Sequence, residues 1–240
     1  MELAGKSIFV TGATDGIGAR LARQLRDKGA QVIVHGRNQA RLAAARAEGY
    51  EVVEGDLSRI EGVEAVLAQL DGRVIDGLIN NAGAGADHDF RDGTPDPAAA
   101  EATIFLNLTA PIRLITGLMP VLLTRPEAMI VNVTSGLAIA PRAGGPVYCA
   151  TKAGLRSYTQ ALRAQLAGTQ VRVVEALPPV VDTQLTAGRG NRKMAPEECA
   201  RQIVAGMERN VTEVNVGMVK VLQLVHSISP ALARRIMLKF

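Results

Sequence analysis

Tryptophan is absent from this 240-residue chain, and the aromatics together make up 3% of it. A core without large rings must be built from Ala, Val, Leu and Ile, as it is where helices cover a buried parallel sheet. The two cysteines, Cys149 and Cys199, lie far apart and form no metal-ligand spacing, so idle thiols and no metal site are expected. Lys and Arg exceed Asp and Glu by a net charge of only +4, without a long basic run or interleaved aromatics. That excludes a nucleic-acid surface and leaves room for an anionic small molecule. No basic leader with a long apolar segment opens the chain, and no run reaches the ~20 uninterrupted apolar residues of a membrane span. A cytoplasmic protein is the expectation.

What is present alternates. Short β-branched runs at 6–11, 31–35, 51–54, 77–80, 129–134, 171–176 and 213–216 read as strands. Between them, 16–28, 38–47, 59–70, 97–123, 147–166 and 196–209 read as helices, with a bend expected at Pro111. Strand and helix in strict alternation imply right-handed βαβ units, hence an α/β, Rossmann-type doubly wound parallel sheet of about seven strands with helices on both faces. No linker composition interrupts it, so residues 1–240 read as a single domain. Two polar segments, 84–96 and 182–195, follow strands and belong over the carboxyl edge of the sheet. The latter, with Arg189, Arg192 and Lys193, reads as a lid over 184–195.

The first strand runs into Thr11-Gly12-Ala13-Thr14-Asp15-Gly16-Ile17-Gly18 and then a helix. Glycines there let the backbone turn sharply and approach a pyrophosphate, which the free N–H groups of the helix N-terminus then hold. Behind the second strand, where an NAD site carries a carboxylate for the ribose 2′-hydroxyl, stand Gly36 and Arg37. A guanidinium pairs with a 2′-phosphate, which favours NADP(H) over NAD(H). Asp15, in the turn itself, works against that preference.

Tyr148 and Lys152 lie four residues apart on one helix, with Ser135 upstream at the end of the fifth strand. That spacing puts phenol and ammonium on one face. An adjacent ammonium favours phenolate, so the phenol can exchange a proton with a carbonyl or alcohol oxygen that Ser135 also holds.

These elements, in this order, make the chain resemble the short-chain dehydrogenase/reductase family along nearly its whole length. The matching residues are the Gly12–Gly18 turn, Asp56, Asn80-Asn81-Ala82-Gly83, Asn107, Ser135, Tyr148 and Lys152. The resemblance implies that Asp56 and Leu57 contact the adenine and that Asn81, Ala82 and Gly83 line the cofactor cleft. It also implies that Lys152 holds the nicotinamide ribose, and that Asn107 binds a water through its backbone in a relay from Lys152. Where the family carries Pro-Gly after the sixth strand, this chain has Pro178-Pro179. Val181 and Thr183 remain in place to meet the nicotinamide carboxamide. Residues 146–152 and 178–183 are similar to a bacterial DltE-like subgroup.

The implied activity is oxidoreduction of a small carbonyl or secondary alcohol, with Ala84, Gly85, Leu137, Ala138, Pro141 and Val147 facing the substrate and His88 and Arg142 at the rim. The family implies a homodimer or homotetramer through 97–123 and 147–166. The apolar tail, 218–240, is expected to pack on the core or a sister subunit rather than touch a membrane. Two other readings are a non-catalytic NADP-binding regulator, and a membrane-peripheral interaction protein acting through that tail. The regulator is disfavoured because Tyr148 and Lys152 are both kept.

Overall fold

The computed structural model describes residues 1–85, 87–91, 93–188 and 193–239. In chain order its elements are β1 (Ser7–Val10), α1 (Gly16–Asp27), β2 (Gln31–Gly36), α2 (Gln39–Ala47), β3 (Glu51–Glu54), α3 (Ile60–Leu70) and β4 (Gly77–Asn80). Then come α4 (Pro97–Ile104), a π-helical turn (Phe105–Thr109), α5 (Ala110–Thr124), β5 (Ala128–Val133), α6 (Pro146–Gln165) and β6 (Val171–Leu177). The chain continues through α7 (Pro196–Glu208) and β7 (Glu213–Asn215) to α8 (Val219–Ile228) and α9 (Pro230–Met237). All seven strands join one sheet in the order β3-β2-β1-β4-β5-β6-β7, every pair parallel. The order reverses between β1 and β4, which opens the crevice at the carboxyl edge where such sheets bind ligands.

Alternation along each strand divides the core in two. Ile8, Val10, Ile79, Val131 and Val174 point to the layer of α1 and α7, with Leu21, Leu25, Ile203 and Met207. Phe9, Ile33, Leu78, Ile130 and Val173 point the other way, onto Val63, Val66, Leu114, Ile115 and Leu118 of α3 and α5. The five inner strands are buried on both faces, which is why they read in sequence as runs and not as alternations.

The stretch Pro97–Thr124 is long and apolar enough to cross a membrane by length and composition alone. Here it is a core helix: Ala110, Leu114, Ile115, Leu118 and Leu122 are buried in the second layer. The break expected at Pro111 arrives slightly earlier, as the π turn, and Pro111 sits in the first turn of α5. A proline there removes one donor, the one that an α-helical register would give to the Asn107 carbonyl.

The segment after β6 is pinched at its base by main-chain bonds, Asp182 N–H to the Met194 carbonyl (2.9 Å) and Met194 N–H to the Val180 carbonyl (3.0 Å). Lys193 adds an ion pair to Asp182 (3.4 Å) and donates to the Thr186 carbonyl (2.7 Å). Residues 189–192 of the expected lid, Arg189 and Arg192 among them, lie outside the described residues.

Candidate active site

The carboxyl ends of β1, β4, β5 and β6 each deliver one wall of a cleft. β1 runs into a turn whose glycines are required by space as well as by conformation. Gly12 has φ +62°, and a Cβ on it would sit 2.9 Å from the Ala82 Cα. Gly16 has φ +53°, and its Cβ would lie 3.0 Å from the Thr183 methyl. A Cβ on Gly18 would fall 2.2 Å from the Gly12 carbonyl oxygen, so α1 can approach the turn only with glycine there. Asp15 caps α1 by accepting from the Gly16 N–H at 2.7 Å.

Thr11 ties this turn to the next strand. Its hydroxyl oxygen accepts from the N–H groups of Asn81 (2.9 Å) and Ala82 (3.0 Å) while it donates to the Ile79 carbonyl (3.2 Å). Asn81 returns its side-chain amide to the Thr11 and Gly12 carbonyls, at 3.0 and 3.2 Å. A histidine that the sequence reading passed over completes the frame. The Gly12 N–H donates to His35 Nδ1 (3.2 Å), and His35 Nε2 lies 3.1 Å from the Gly55 carbonyl. A ring that accepts at Nδ1 must donate at Nε2, so this network assigns the neutral Nε2–H tautomer. Burial agrees, pushing the His35 pKa down to about 4.

At the adenosine end, the Arg37 guanidinium is 70% exposed and 3.5 Å from the Asp56 carboxylate. Asp56 also accepts from the Ser58 N–H (3.1 Å) and faces Arg59 at 3.6 Å. Burial works against its charge, but the Ser58 hydrogen bonds and the two guanidinium groups outweigh that and hold its pKa below the usual range. Leu57 turns away into the core at 3% exposure. Arg41 is a second cation that sequence reading missed. It pairs with Asp15 at 3.1 Å and donates to Gln184 Oε1 at 3.0 Å, spanning from α2 to the glycine turn and to the segment after β6.

The chemical end is buried. Lys152 is 4% exposed, its ammonium donates to the Val133 carbonyl (2.9 Å) and lies 5.7 Å from the Tyr148 ring centroid. Burial pushes its pKa down to about 8. Ser135, two residues beyond β5, accepts from the Leu137 N–H at 3.1 Å, and the Gly136 N–H is held by the Pro178 carbonyl at 3.0 Å. Asn107, fully buried in the π turn, clamps Ala84 from both sides: its amide donates to the Ala84 carbonyl (2.8 Å) and its oxygen accepts from the Ala84 N–H (2.9 Å). It also donates to the Thr151 hydroxyl, at 3.1 Å. Pro111, four residues on, has no N–H to offer, so the Asn107 carbonyl loses its α-helical donor. A Cβ on Gly83 would lie 3.1 Å from Asn107 Oδ1 and 3.6 Å from the Lys152 ammonium, which joins the two groups across the cleft wall.

The rim residues settle into structural contacts. Arg142 pairs with Asp87, and His88 stacks edge-on against Phe90 (4.9 Å between centroids). Cys149, although beside Tyr148, is a buried thiol raised by that burial, and Cys199 is pushed up to about 12 for the same reason. Neither has thiolate character at neutral pH. Among the described residues no group of His, Cys, Asp and Glu is arranged to hold a metal.

Residues 6–194 match the short chain dehydrogenase family model. The chain belongs to the short-chain dehydrogenase/reductase family. It is 37% identical over 224 residues to an uncharacterized oxidoreductase, DltE, of Bacillus subtilis, covering 89% of each chain. Among solved structures it resembles a short chain dehydrogenase of Burkholderia cenocepacia in complex with NADP, with a TM-score of 0.89, 28% identity and 99% of each chain covered. It also resembles a 3-ketoacyl-(acyl-carrier-protein) reductase of Brucella melitensis complexed with NADH, with a TM-score of 0.76 and 28% identity, over 85% of this chain and 91% of that one. This family member is therefore an oxidoreductase with the Rossmann-type α/β fold, and its relatives bind either nicotinamide cofactor.

Proposed function

We propose that this oxidoreductase is an NADP(H)-dependent reductase or dehydrogenase acting on a small carbonyl or secondary alcohol, with Tyr148 as general acid/base. The observation that carries the reading is the buried Lys152 ammonium beside the Tyr148 ring, on one helix face behind Ser135. Among the described residues Lys152 has no carboxylate partner; a buried cation so placed is costly, and a chain keeps one where it is used.

The cleft fits a dinucleotide: Gly12 and Gly16 at positive φ leave the turn no side chain that would fill it, and Asp15 opens α1 with its N–H groups toward the cleft mouth. Gly12, Thr14, Gly16, Ile17 and Gly18 would hold the pyrophosphate end. Asp56 and Leu57 would border the adenine, and Asn81, Ala82, Gly83, Pro178, Val181 and Thr183 the middle and the nicotinamide. Arg37 would meet a 2′-phosphate, and its 70% exposure leaves it free to swing from Asp56 to a better anion. When bound, the nicotinamide supplies or takes up the hydride.

The protein's own part is the proton. Ser135 donates a hydrogen bond to the substrate oxygen, and Tyr148 gives that oxygen its proton in reduction or removes it in oxidation. Lys152 stabilises the phenolate left behind through its charge. The Asn107 carbonyl, freed of its helical donor, is placed to take a water that reprotonates Lys152. The wider assignment keeps one domain over 1–240, with 184–195 as substrate lid and pairing of copies through α4, α5 and α6. A panel of ketones, aldehydes and alcohols followed by NADPH absorbance tests the activity. The reading falls if no carbonyl or alcohol is turned over, or if Tyr148→Phe leaves turnover intact.

A further inference from the structure

Beyond β7 the chain changes character. Glu213 is its last acidic residue, and 214–240 contains Lys220, Arg234, Arg235 and Lys239 with no Asp or Glu. α8 and α9 pack on each other, and each is fastened by one inward residue, Val219 (3% exposed) and Ala233 (0%). The expected packing of this tail on the core is met by those anchors and not by the outer faces. Met218, Val221, Leu224 and Ile228 recur at helical spacing along α8 and are 70, 50, 61 and 78% exposed. Leu232 and Ile236, one turn apart on α9, continue the apolar surface at 48 and 41%. Large side chains so exposed, and so ordered on one face, mark a surface that meets something apolar.

The charge decides what that is. Lys220 lies near Glu198, whose carboxyl is held low chiefly by hydrogen bonds from Arg201 and Gln202. Among the described residues, Arg234, Arg235 and Lys239 have no acidic group within ion-pair distance. A twofold contact between copies would bring the basic side chains of both copies into one interface with no acid from this tail to answer them. An anionic lipid surface complements both features, because the apolar stripe enters the acyl boundary while the basic side chains stay among the headgroups.

We propose that the α8–α9 pair docks this enzyme on anionic membrane surfaces. The inner side of α8 rests on the turn that follows Ser135, since a Cβ on Gly136 would touch Val219 (3.0 Å) and Leu222 (3.6 Å). Docking on the outer side then holds Ser135 roughly one helix diameter, ~10 Å, from the lipid.

The test is co-sedimentation of the full chain with vesicles of phosphatidylcholine alone and of three parts phosphatidylcholine to one part phosphatidylglycerol. Binding to the anionic vesicles, and not to the neutral ones, is the expected result. Each basic residue near such a surface contributes about fivefold, so Arg234→Gln with Arg235→Gln and Lys239→Gln together should weaken binding ~100-fold. Leu224→Asn with Ile228→Asn should weaken it at least ~10-fold. Equal binding to both vesicles, none to either, or unchanged binding of the basic variant would overturn the proposal. So would a Leu224→Asn/Ile228→Asn protein that turns from oligomer to monomer in light scattering, which would assign the face to a second copy.

Discussion

Around Lys152 the polar groups are buried and bonded to main chain: the ammonium to Val133, Asn107 to both polar groups of Ala84, the Ser135 oxygen to the Leu137 N–H. Around Arg37 they are exposed and held by ion pairs, Arg37 and Arg59 to Asp56 and Arg41 to Asp15. Both ends lie on the same sheet edge, but the chemical end is the more enclosed. Buried bonds fix a geometry and resist salt, whereas exposed pairs contribute about 0–1 kcal/mol each and rearrange easily. The chemical end is therefore built for positioning, and the adenosine end for exchange of one anion for another.

The largest effect should come from the chemical end. Tyr148→Phe removes the exchangeable proton and should lower kcat by roughly 10²–10⁴-fold with cofactor affinity within about twofold, measured by steady-state kinetics and fluorescence titration. A kcat loss accompanied by equal loss of affinity would make Tyr148 a binding residue, and the contrast between the ends would weaken. Lys152 gives the same end a pH signature. With its pKa pushed down to about 8, the ammonium is lost above that pH, so carbonyl reduction should decline there. Lys152→Arg keeps the charge to higher pH and should move the decline upward. A limb that stays in place belongs to Tyr148 alone.

How much of this was legible in sequence follows from what each residue depends on. β3 and β4 were bounded to the residue because each is a short apolar run, Val52-Val53 and Leu78-Ile79, closed at both ends by glycine or polar residues. Ser135, Tyr148 and Lys152 were legible because their spacing survives folding unchanged. The π turn was not, since Phe105–Thr109 has the composition of ordinary helix and only the pairing register differs. Yet Pro111 four residues after Asn107 announced the lost donor, and a bend was placed at the proline. His35 and Arg41 were invisible for another reason. Their partners come from three separate segments, the glycine turn with Gly12 and Asp15, Gly55 after β3 and Gln184 after β6, which only the sheet order brings together.

His35 stands between the two ends and supplies the next test. Its folded pKa of about 4 lies below the ~6.5 of an unfolded histidine, so the unfolded chain binds the proton first. The neutral ring's contribution is present in full above about pH 6.5 and is lost as pH falls from there toward 4, by about 3 kcal/mol at most. Denaturant melts across that window should show the loss, whereas cofactor binding should weaken only as pH falls through about 4, where the folded ring takes up its proton and the Gly12 N–H loses its acceptor. His35→Gln retains an acceptor without titrating, and should flatten both curves. If the slope persists, carboxylates elsewhere cause it and the glycine turn is not pH-sensitive.

The smallest effects belong to the exposed end, and they separate its two cations. Arg37→Ser should cost NADPH about tenfold in affinity, the worth of one charge-assisted contact, and leave NADH unchanged. Protein stability should move by less than about 0.5 kcal/mol, because a side chain 70% exposed gains little from Asp56. Arg41→Ser should act differently. It unties Asp15 from α2 and Gln184 from the same guanidinium, so both cofactors should dissociate a few-fold faster whatever their 2′ group. Stopped-flow release of NADPH and NADH from the two variants and the double variant distinguishes the roles. Independent effects that multiply within about a factor of two would mean that Arg37 reads the phosphate while Arg41 holds the cleft shut. An Arg41→Ser effect confined to NADPH would make both arginines phosphate ligands, and the contact to Gln184 would then add nothing to cofactor retention.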